Sequence, residues 1–176
     1  DRPLFYIVAG EGSGDIIGAG VMKSLKKLTS GKARFAGVGG VNMSSEGLES
    51  LFPIHELSVL GLFELIPKIP KFLQRIGETV HDIFLKKPCA VITIDSKGFN
   101  FRIAKQIALK QNNETKKIKL IHMVAPTVWA WRPGRAKKIA KLFDHLLVMF
   151  PFEPAYFIPH GLKTSFVGHP ALEETE

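Results

Sequence analysis

The sequence alternates short apolar runs with longer amphipathic stretches. Apolar runs rich in β-branched and aromatic residues predict β-strands at 4–9, 34–38, 51–54, 90–94, 118–124, 145–150 and 165–167. Apolar residues at helical spacing predict helices at about 16–28, 41–47, 56–66, 70–86, 99–111, 136–142 and 153–160. Alternating strands and helices are typical of a parallel sheet covered by helices. The pattern therefore predicts an α/β fold with a Rossmann-like parallel sheet of roughly five or more strands, flanked by helices.

One predicted strand ends in an isolated acid. Ala90 to Ile94 is a continuous apolar run, which is typical of a strand buried on both faces, and Asp95 follows it directly. Ligands of open parallel sheets bind beyond the carboxyl ends of the strands, so Asp95 is a candidate catalytic or binding acid. Alternatively, Asp95 caps the helix predicted to begin near Gly98, a common role for Asp in a strand-to-helix turn. The spacing leaves both interpretations open.

The first predicted strand runs into a glycine-rich loop, Gly10 to Asp15. The dinucleotide fingerprint fails there because its third glycine position holds Asp15, and the second strand is followed by no acid that could bind a ribose. An NAD site is therefore not expected. Glu11 and Ser13 could face a neutral, hydroxyl-rich ligand. Alternatively, the loop is a tight turn capped by Ser13 or Asp15.

Two prolines divide the amphipathic stretch between 56 and 86. Pro67 and Pro70 predict an interruption, with a second helix beginning at Pro70. The apolar face can pack on the sheet, as most amphipathic helices do. Alternatively, the apolar residues around the prolines, which lie among lysines, form a surface that dips into a membrane interface. The candidate membrane-docking residues are Leu62, Phe63, Ile66, Ile69 and Phe72.

A second strand-end loop is rich in aromatic and basic residues. Trp129, Trp131, Arg132 and Arg135 follow the strand predicted at 118–124. This loop is expected to share the crevice with Asp95, because both follow parallel strands. The tryptophans can anchor the core or contact a ligand.

Composition and net charge limit the classes of binding partner and the cellular setting that are expected. The chain of 176 residues has a formal net charge of +8, which favours nucleic acid, an anionic membrane or a phosphorylated substrate. Nucleic acid is not expected, because no zinc-finger spacing or RNP-like strand is present. The single cysteine, Cys89, excludes a disulfide framework and is predicted to be a small buried residue at the start of a strand. No signal peptide or apolar run of transmembrane length is present, and the setting is predicted to be cytoplasmic.

The sequence lacks the motifs that are typical of several classes of enzyme. The sequence contains no D-x-D pair, no H-E-x-x-H, no C-x-x-C, no P-loop and no nucleophile elbow. A metal site and a bound cofactor are therefore not expected. The histidines are scattered, and one inside a strand, such as His122, is expected to be a hydrogen-bonded core residue.

Three motifs together resemble one family. Residues 9–15 (A-G-E-G-S-G-D), 94–100 (I-D-S-K-G-F-N) and 124–132 (V-A-P-T-V-W-A-W-R) are similar to segments of the lipid-A-disaccharide synthases, bacterial glycosyltransferases of the two-domain GT-B type. Residues 51–53, 151–153 and 167–170 match in the same order, and the likeness covers nearly the whole chain. The sequence departs from the family at Lys97, where proline is common, and at Gly98, where many members carry a second Asp.

The resemblance implies a reaction. The family transfers 2,3-diacylglucosamine from its UDP derivative to 2,3-diacylglucosamine 1-phosphate, giving a β-1,6-linked disaccharide 1-phosphate and UDP. Asp95 is then expected to be the general base for the acceptor 6-hydroxyl, in an inverting transfer that needs neither metal nor cofactor. Desolvation by the crevice would have to raise its pKa. A non-catalytic Rossmann-like module that binds a membrane or a ligand is the alternative.

The resemblance also implies the site and its setting. Arg132 and Arg135 are expected to meet the acceptor phosphate. Residues 1–170 are expected to form the N-terminal, acceptor-side domain, and 171–176 the start of a linker to a C-terminal UDP-sugar domain, without which this stretch is inactive. The enzyme is expected at the cytoplasmic face of the inner membrane of a Gram-negative bacterium, bound peripherally to anionic lipid. The expected substrate-binding residues are Gly10, Glu11, Ser13, Gly14, Asn100, Trp129, Arg132 and Arg135.

Overall fold

The computed structural model describes residues 2–58, 62–111, 118–128 and 134–169. Six strands form one sheet in which all neighbouring strands are parallel. In chain order they are β1 (Leu4–Ala9), β2 (Arg34–Val38), β3 (Ala90–Ile94), β4 (Lys119–Met123), β5 (His145–Val148) and β6 (Lys163–Phe166). Their order across the sheet is β2-β1-β3-β4-β5-β6. The predicted α/β class and the parallel sheet are confirmed.

Helices cover both faces of this sheet. They are α1 (Gly12–Leu28), α2 (Val41–Ser45), α3 (Leu62–Lys86), α4 (Lys97–Lys110), α5 (Gly134–Ala140) and α6 (Pro154–Phe157), with 3₁₀ turns at Ile54–Leu57 and Ile158–His160. Alternate strand residues point to opposite faces, which divides the core in two. Ile7 and Ile94 pack with α1 and α2, whereas Tyr6 and Val91 pack with α3, α4 and α5.

Several local predictions are wrong. No single helix runs from 56 to 66, because the 3₁₀ turn ends at Leu57 and Ser58 has an extended backbone. Residues 51–54 form no strand; only Ser50 bridges to Gly37 of β2, and a 3₁₀ turn follows. Helix α1 begins at Gly12 instead of near residue 16. Helix α3 continues through both prolines, whose fixed φ is itself helical, while its later turns are buried in the core. Cys89 is exposed because it lies before the buried run, at the rim of the sheet.

His122 is a core residue, as predicted. It is fully buried in β4, and its Nδ1 lies 2.7 Å from Thr93 Oγ1 on β3. Its ring stacks on Phe143 and meets the edge of Phe101. Burial lowers the pKa of His122 to about 3, so the imidazole is neutral at physiological pH.

Asp15 caps a neighbouring helix and not its own. Its buried carboxylate accepts hydrogen bonds from the backbone N–H groups of Gly40 (2.7 Å), Asn42 (2.9 Å) and Met43 (3.0 Å), and from the Asn42 amide (2.9 Å). These are the unpaired donors at the start of α2. Burial opposes ionisation, but the donated hydrogen bonds outweigh it and hold the pKa of Asp15 below its usual value.

Replacing Asp15 by asparagine is therefore expected to lower the free energy of unfolding by about 2–3 kcal/mol at pH 7, because charge-assisted bonds are lost at a buried site. A lowered folded-state pKa means that this stabilisation is present above the unfolded-state value and is lost as pH falls through the folded-state value. Urea denaturation at pH 7 and below about pH 4 measures it. A pH-independent difference between wild type and variant would contradict this account.

Candidate functional site

The ends of three neighbouring strands form the site. Ala9, Ile94 and Met123 lie in register on β1, β3 and β4, so the residues that follow them are neighbours at one edge of the sheet. Asp95 follows β3, and its backbone N–H donates to Met123 O at 3.0 Å. The predicted position of Asp95 beyond the carboxyl end of a buried strand is confirmed.

The backbone at this edge is strained. Asp95 and Ser96 both have positive φ, at 46° and 42°, and Val124 after β4 has a φ of 71°. Non-glycine residues rarely adopt this conformation, and each costs on the order of 1–3 kcal/mol. Ser96, and not Asp95, occupies the N-cap position of α4, and no capping bond from the Asp95 side chain is seen within the described ranges. The helix-cap interpretation of Asp95 is therefore not supported.

Asn100 holds the Asp95 turn from beneath. It is fully buried, and its Nδ2 donates to Ile94 O at 3.0 Å and to Asp95 O at 2.9 Å. Its backbone N–H donates to Ser96 O at 2.9 Å. The amide thus orients the residue that carries the acid. A direct contact between Asn100 and a sugar stays a prediction, which this burial does not favour.

Gly10 packs against the same turn. A Cβ added to Gly10 would lie 2.5 Å from Ser96 Cβ, closer than real side chains approach. The end of β1 can therefore lie against the end of β3 only because residue 10 has no side chain. Gly10 contributes to the site through this close approach.

Glu11 lies beside Asp95. It occupies the N-cap position of α1 and is exposed. Partial loss of hydration, the charge of Asp95 and a hydrogen bond that protonated Glu11 donates to Asp95 raise the pKa of Glu11. Two carboxyl groups thus face each other at the strand ends, and Glu11 holds a proton more readily than an isolated glutamate does.

The Glu11→Gln variant is expected to be slightly more stable than wild type at pH 7. A raised folded-state pKa means that the ionised acid destabilises the fold, increasingly as pH rises above the unfolded-state value of about 4.3. Solvent screens this exposed group, so we expect a gain of about 0.5 kcal/mol, or roughly 1–2 °C in Tm. Thermal unfolding at pH 4 and pH 7 measures it. Glu49→Gln, at another exposed glutamate, is the control, and an equal gain in both variants would contradict the interpretation.

A cleft of about 610 Å³ opens beside these acids. Gly10, Glu11 and Ser96 form its polar end, and Asp95 adjoins it through Glu11 and Ser96. Lys97 and Arg102 of α4 also line it. Its wall is mostly apolar and comes from the 3₁₀ turn, α3 and α4. The apolar lining residues are Leu57, Ile69, Phe72, Leu73 and Phe99.

Other predicted substrate-binding residues lie outside this cleft. Ser13 is exposed in the first turn of α1, and Gly14 is buried against Ala9 and Ile94. Arg135 is exposed near the start of α5. Two further predicted residues, Trp129 and Arg132, lie outside the described residues, as does Trp131.

The predicted membrane-docking residues divide into three groups. Ile66 and Ile69 are exposed, by 67% and 40%. Phe72 is partly buried, and its ring meets the edge of Phe99 at 5.5 Å between centroids. Leu62 and Phe63 lie in the first turn of α3, but their side chains are outside the described part. No helix within the described ranges is both long and apolar enough to cross a membrane.

The site residues predicted from the sequence did not include eight residues that line the cleft: Leu57, Ser58, Leu73, Ser96, Lys97, Gly98, Phe99 and Arg102. Leu73 is 54% exposed and lies one helical repeat beyond Ile66 and Ile69, so an i, i+3, i+7 pattern could have identified it. Leu57 and Arg102 gave no such signal. Arg102 reaches the cleft only because its side chain folds back along α4, where Nη1 donates to Gly98 O at 2.6 Å.

Comparison with known proteins identifies the family of this chain. A model of the family described as lipid-A-disaccharide synthetase matches residues 5–176. The chain is 50% identical over 170 residues to a lipid-A-disaccharide synthase of Paramagnetospirillum magneticum, covering 97% of this chain and 43% of that protein. For the synthases of Rhodospirillum centenum and Gluconobacter oxydans the identities are 46% and 47%, each over 97% of this chain, which spans 41% and 39% of those proteins. The chain therefore spans about two fifths of the length of these curated relatives, and it belongs to the lipid-A-disaccharide synthase family.

Proposed function

We propose that this chain is the acceptor-side part of a lipid-A-disaccharide synthase. The full-length enzyme transfers 2,3-diacylglucosamine from its UDP derivative to 2,3-diacylglucosamine 1-phosphate, with formation of a β-1,6 bond and release of UDP. One observation carries the proposal beyond family membership. An acid held on a strained turn at a strand end adjoins a cleft whose wall is largely apolar, as a sugar bearing acyl chains requires.

Asp95 is the general base in this proposal. Its carboxylate takes the proton of the acceptor 6-hydroxyl as that oxygen bonds to the anomeric carbon of the donor, and the bond from that carbon to UDP breaks on the opposite face. The configuration is thereby inverted. Asn100 and the Met123 carbonyl hydrogen-bond to the backbone of Asp95, and a fixed position of this kind supports the role of a general base. Glu11 lies close enough to accept or return a proton, and its raised pKa suits that role.

The apolar side of the cleft faces lipid in this proposal. Ile66, Ile69 and Leu73 share one exposed face of α3, and Ile69 and Leu73 also line the cleft. An apolar helix face enters a membrane interface readily, and the net charge of +8 favours anionic lipid. The substrates can thus pass from the cytoplasmic leaflet to the acids along one continuous apolar surface.

Replacing both Ile66 and Ile69 by serine is expected to weaken binding to vesicles that contain phosphatidylglycerol by about ten-fold or more, because two apolar side chains no longer enter the interface. Co-sedimentation with vesicles measures this binding. Leu85→Ser is the matched control, since Leu85 is 70% exposed near the other end of α3. Equal weakening by the control would contradict a docking site at this face.

The greater length of the relatives supports a division of the site between two parts of the full-length protein. We propose that residues 1–170 supply the base and the acceptor cleft, that 171–176 begin a linker, and that most of the UDP-sugar site lies in the remainder of the full-length protein. The present stretch by itself is then inactive, because the base meets no activated donor.

Disaccharide synthesis by the full-length protein tests the proposed function. Both diacylglucosamine substrates are supplied with EDTA present, and product and UDP are measured by mass spectrometry. Equimolar disaccharide 1-phosphate and UDP are expected, with none from the 176-residue stretch alone. Absence of product from the full-length protein would overturn the proposal in favour of a non-catalytic module that binds lipid.

A further inference from the structure

The cleft contains two cations that no acid neutralises. Lys97 and Arg102 line it, and neither has an ion-pair partner among the residues that the structure describes. On the neighbouring helix α3, Lys71 and Arg75 pair with Glu56 and Lys86 pairs with Asp82, whereas Lys68 has no ion pair among the described residues. Two unpaired cations in a concave, largely apolar site indicate an anionic ligand.

Local geometry brings these two cations together. They are five positions apart on α4, which alone would place them on different faces. The Arg102 side chain folds back towards the start of the helix, where its Nη1 donates to Gly98 O at 2.6 Å. This bond restrains the guanidinium beside Gly98, the residue that follows Lys97, and leaves its other N–H groups available to a ligand.

We propose that Lys97 and Arg102 form the subsite for the phosphate of the acceptor. The inference rests on the proposed function and deepens it by orienting the acceptor. C1 and C5, which carries C6, both adjoin the ring oxygen, so the 1-phosphate and the 6-hydroxyl lie on the same side of the sugar. A phosphate on the cations therefore keeps the 6-hydroxyl near the first turn of α4, close to Asp95 and Glu11. The acyl chains then lie along the wall formed by Ile69, Phe72 and Leu73.

The charges in the cleft favour a phosphate on Lys97 and Arg102 over a phosphate beside Glu11 and Asp95. Glu11 and Asp95 repel a phosphate from the polar end of the cleft, whereas Lys97 and Arg102 attract it. Arg135, one of the two arginines that the resemblance suggested for this phosphate, lies outside the cleft lining.

Lys97 and Gly98 are also the positions where this chain departs from the family pattern. Both departures make the cleft more positive here than a proline and a second acid would.

Acceptor specificity of the full-length enzyme tests the subsite. Lys97→Gln and Arg102→Gln are each expected to raise KM for the acceptor 1-phosphate by about ten-fold with little change in kcat. KM for the same acceptor with a free 1-hydroxyl should not change. Lys105→Gln is the control, because Lys105 is exposed on α4 but does not line the cleft. An unchanged KM, or an equal rise for both acceptors, would overturn the subsite.

A binding measurement separates this inference from the proposed function. The 176-residue chain is titrated with dodecyl phosphate and with dodecyl glucoside, both below their micelle concentrations. Dodecyl phosphate should bind at least about ten-fold more tightly, and the double variant Lys97→Gln with Arg102→Gln should remove the difference. If that preference is absent, the subsite fails even where the enzyme makes disaccharide. If the preference is found but no disaccharide forms, the proposed function fails and the anion site stands.

Discussion

Replacing Asp95 by asparagine in the full-length enzyme is expected to lower kcat by about 10²–10⁴-fold, with little change in stability. Asparagine matches aspartate in size and tolerates the positive φ of 46° at this position, but it cannot accept a proton from the sugar hydroxyl. Because Ser96 occupies the N-cap of α4, no helix cap is lost. Initial rates of disaccharide formation, together with Tm, measure both effects.

The control for this variant is a second carboxylate-to-amide change, Glu49→Gln. Glu49 is exposed and has no hydrogen bond or ion pair within the part of the chain that the structure describes. Its variant should retain full activity. Wild-type activity in Asp95→Asn would remove the general base from the mechanism while leaving the cleft and its cations in place. A large fall in Tm would instead make Asp95 a structural residue of the turn.

Replacing Gly37 by alanine is expected to lower the free energy of unfolding by about 4 kcal/mol or more, the largest stability effect that we predict. Gly37 lies in β2, directly opposite Ile7 of β1, with a φ of 141°. An added Cβ would lie 2.8 Å from the carbonyl carbon and 2.9 Å from the nitrogen of Ile7. Backbone in the middle of a sheet cannot move aside as the end of a flexible side chain can. Urea denaturation, or loss of folded protein on expression, measures the effect.

The matched control is Gly77→Ala in α3. Gly77 is exposed, and a Cβ there would meet no atom within 4 Å. Because alanine is the better helix former by about 1 kcal/mol, this variant should be more stable than wild type by roughly 0.5–1 kcal/mol. The same Gly→Ala substitution is thus expected to lower the free energy of unfolding at Gly37 and to raise it at Gly77. Similar changes in stability in the two variants would contradict the close approach of β1 and β2 at Gly37.

The edge of the sheet that holds the site could be predicted from the sequence. The apolar run before Asp95 identifies a buried strand, and parallel strands bring their carboxyl ends to one edge. The glycine-rich loop and Asp95 belong to adjacent strands, so their proximity follows from topology. Period-two and period-3.6 patterns carry this information because they report which faces are buried.

Features that depend on side-chain conformation could not be predicted in this way. Asp15 caps α2, which begins 26 residues further along the chain. Local sequence patterns do not report contacts between residues so far apart. Arg102 reaches the cleft through a rotamer that folds back to Gly98. Asn100 follows Asp95 by five positions, yet it lies beneath the turn because the first turn of α4 rotates it inward. Helix α3 likewise passes through two prolines since tertiary packing outweighs local propensity.

The exposed Cys89 gives this chain a natural attachment point for a reporter group. It is the single cysteine of the sequence, and it lies just before β3, at the opposite end of that strand from Asp95. Six extended residues separate the two by roughly 20 Å, so a dye on the thiol would not enter the cleft. Its Sγ donates a hydrogen bond only to Leu4 O, a contact of little energetic weight. Maleimide labelling can therefore follow lipid and acceptor binding in the wild-type sequence, with no cysteine added or removed.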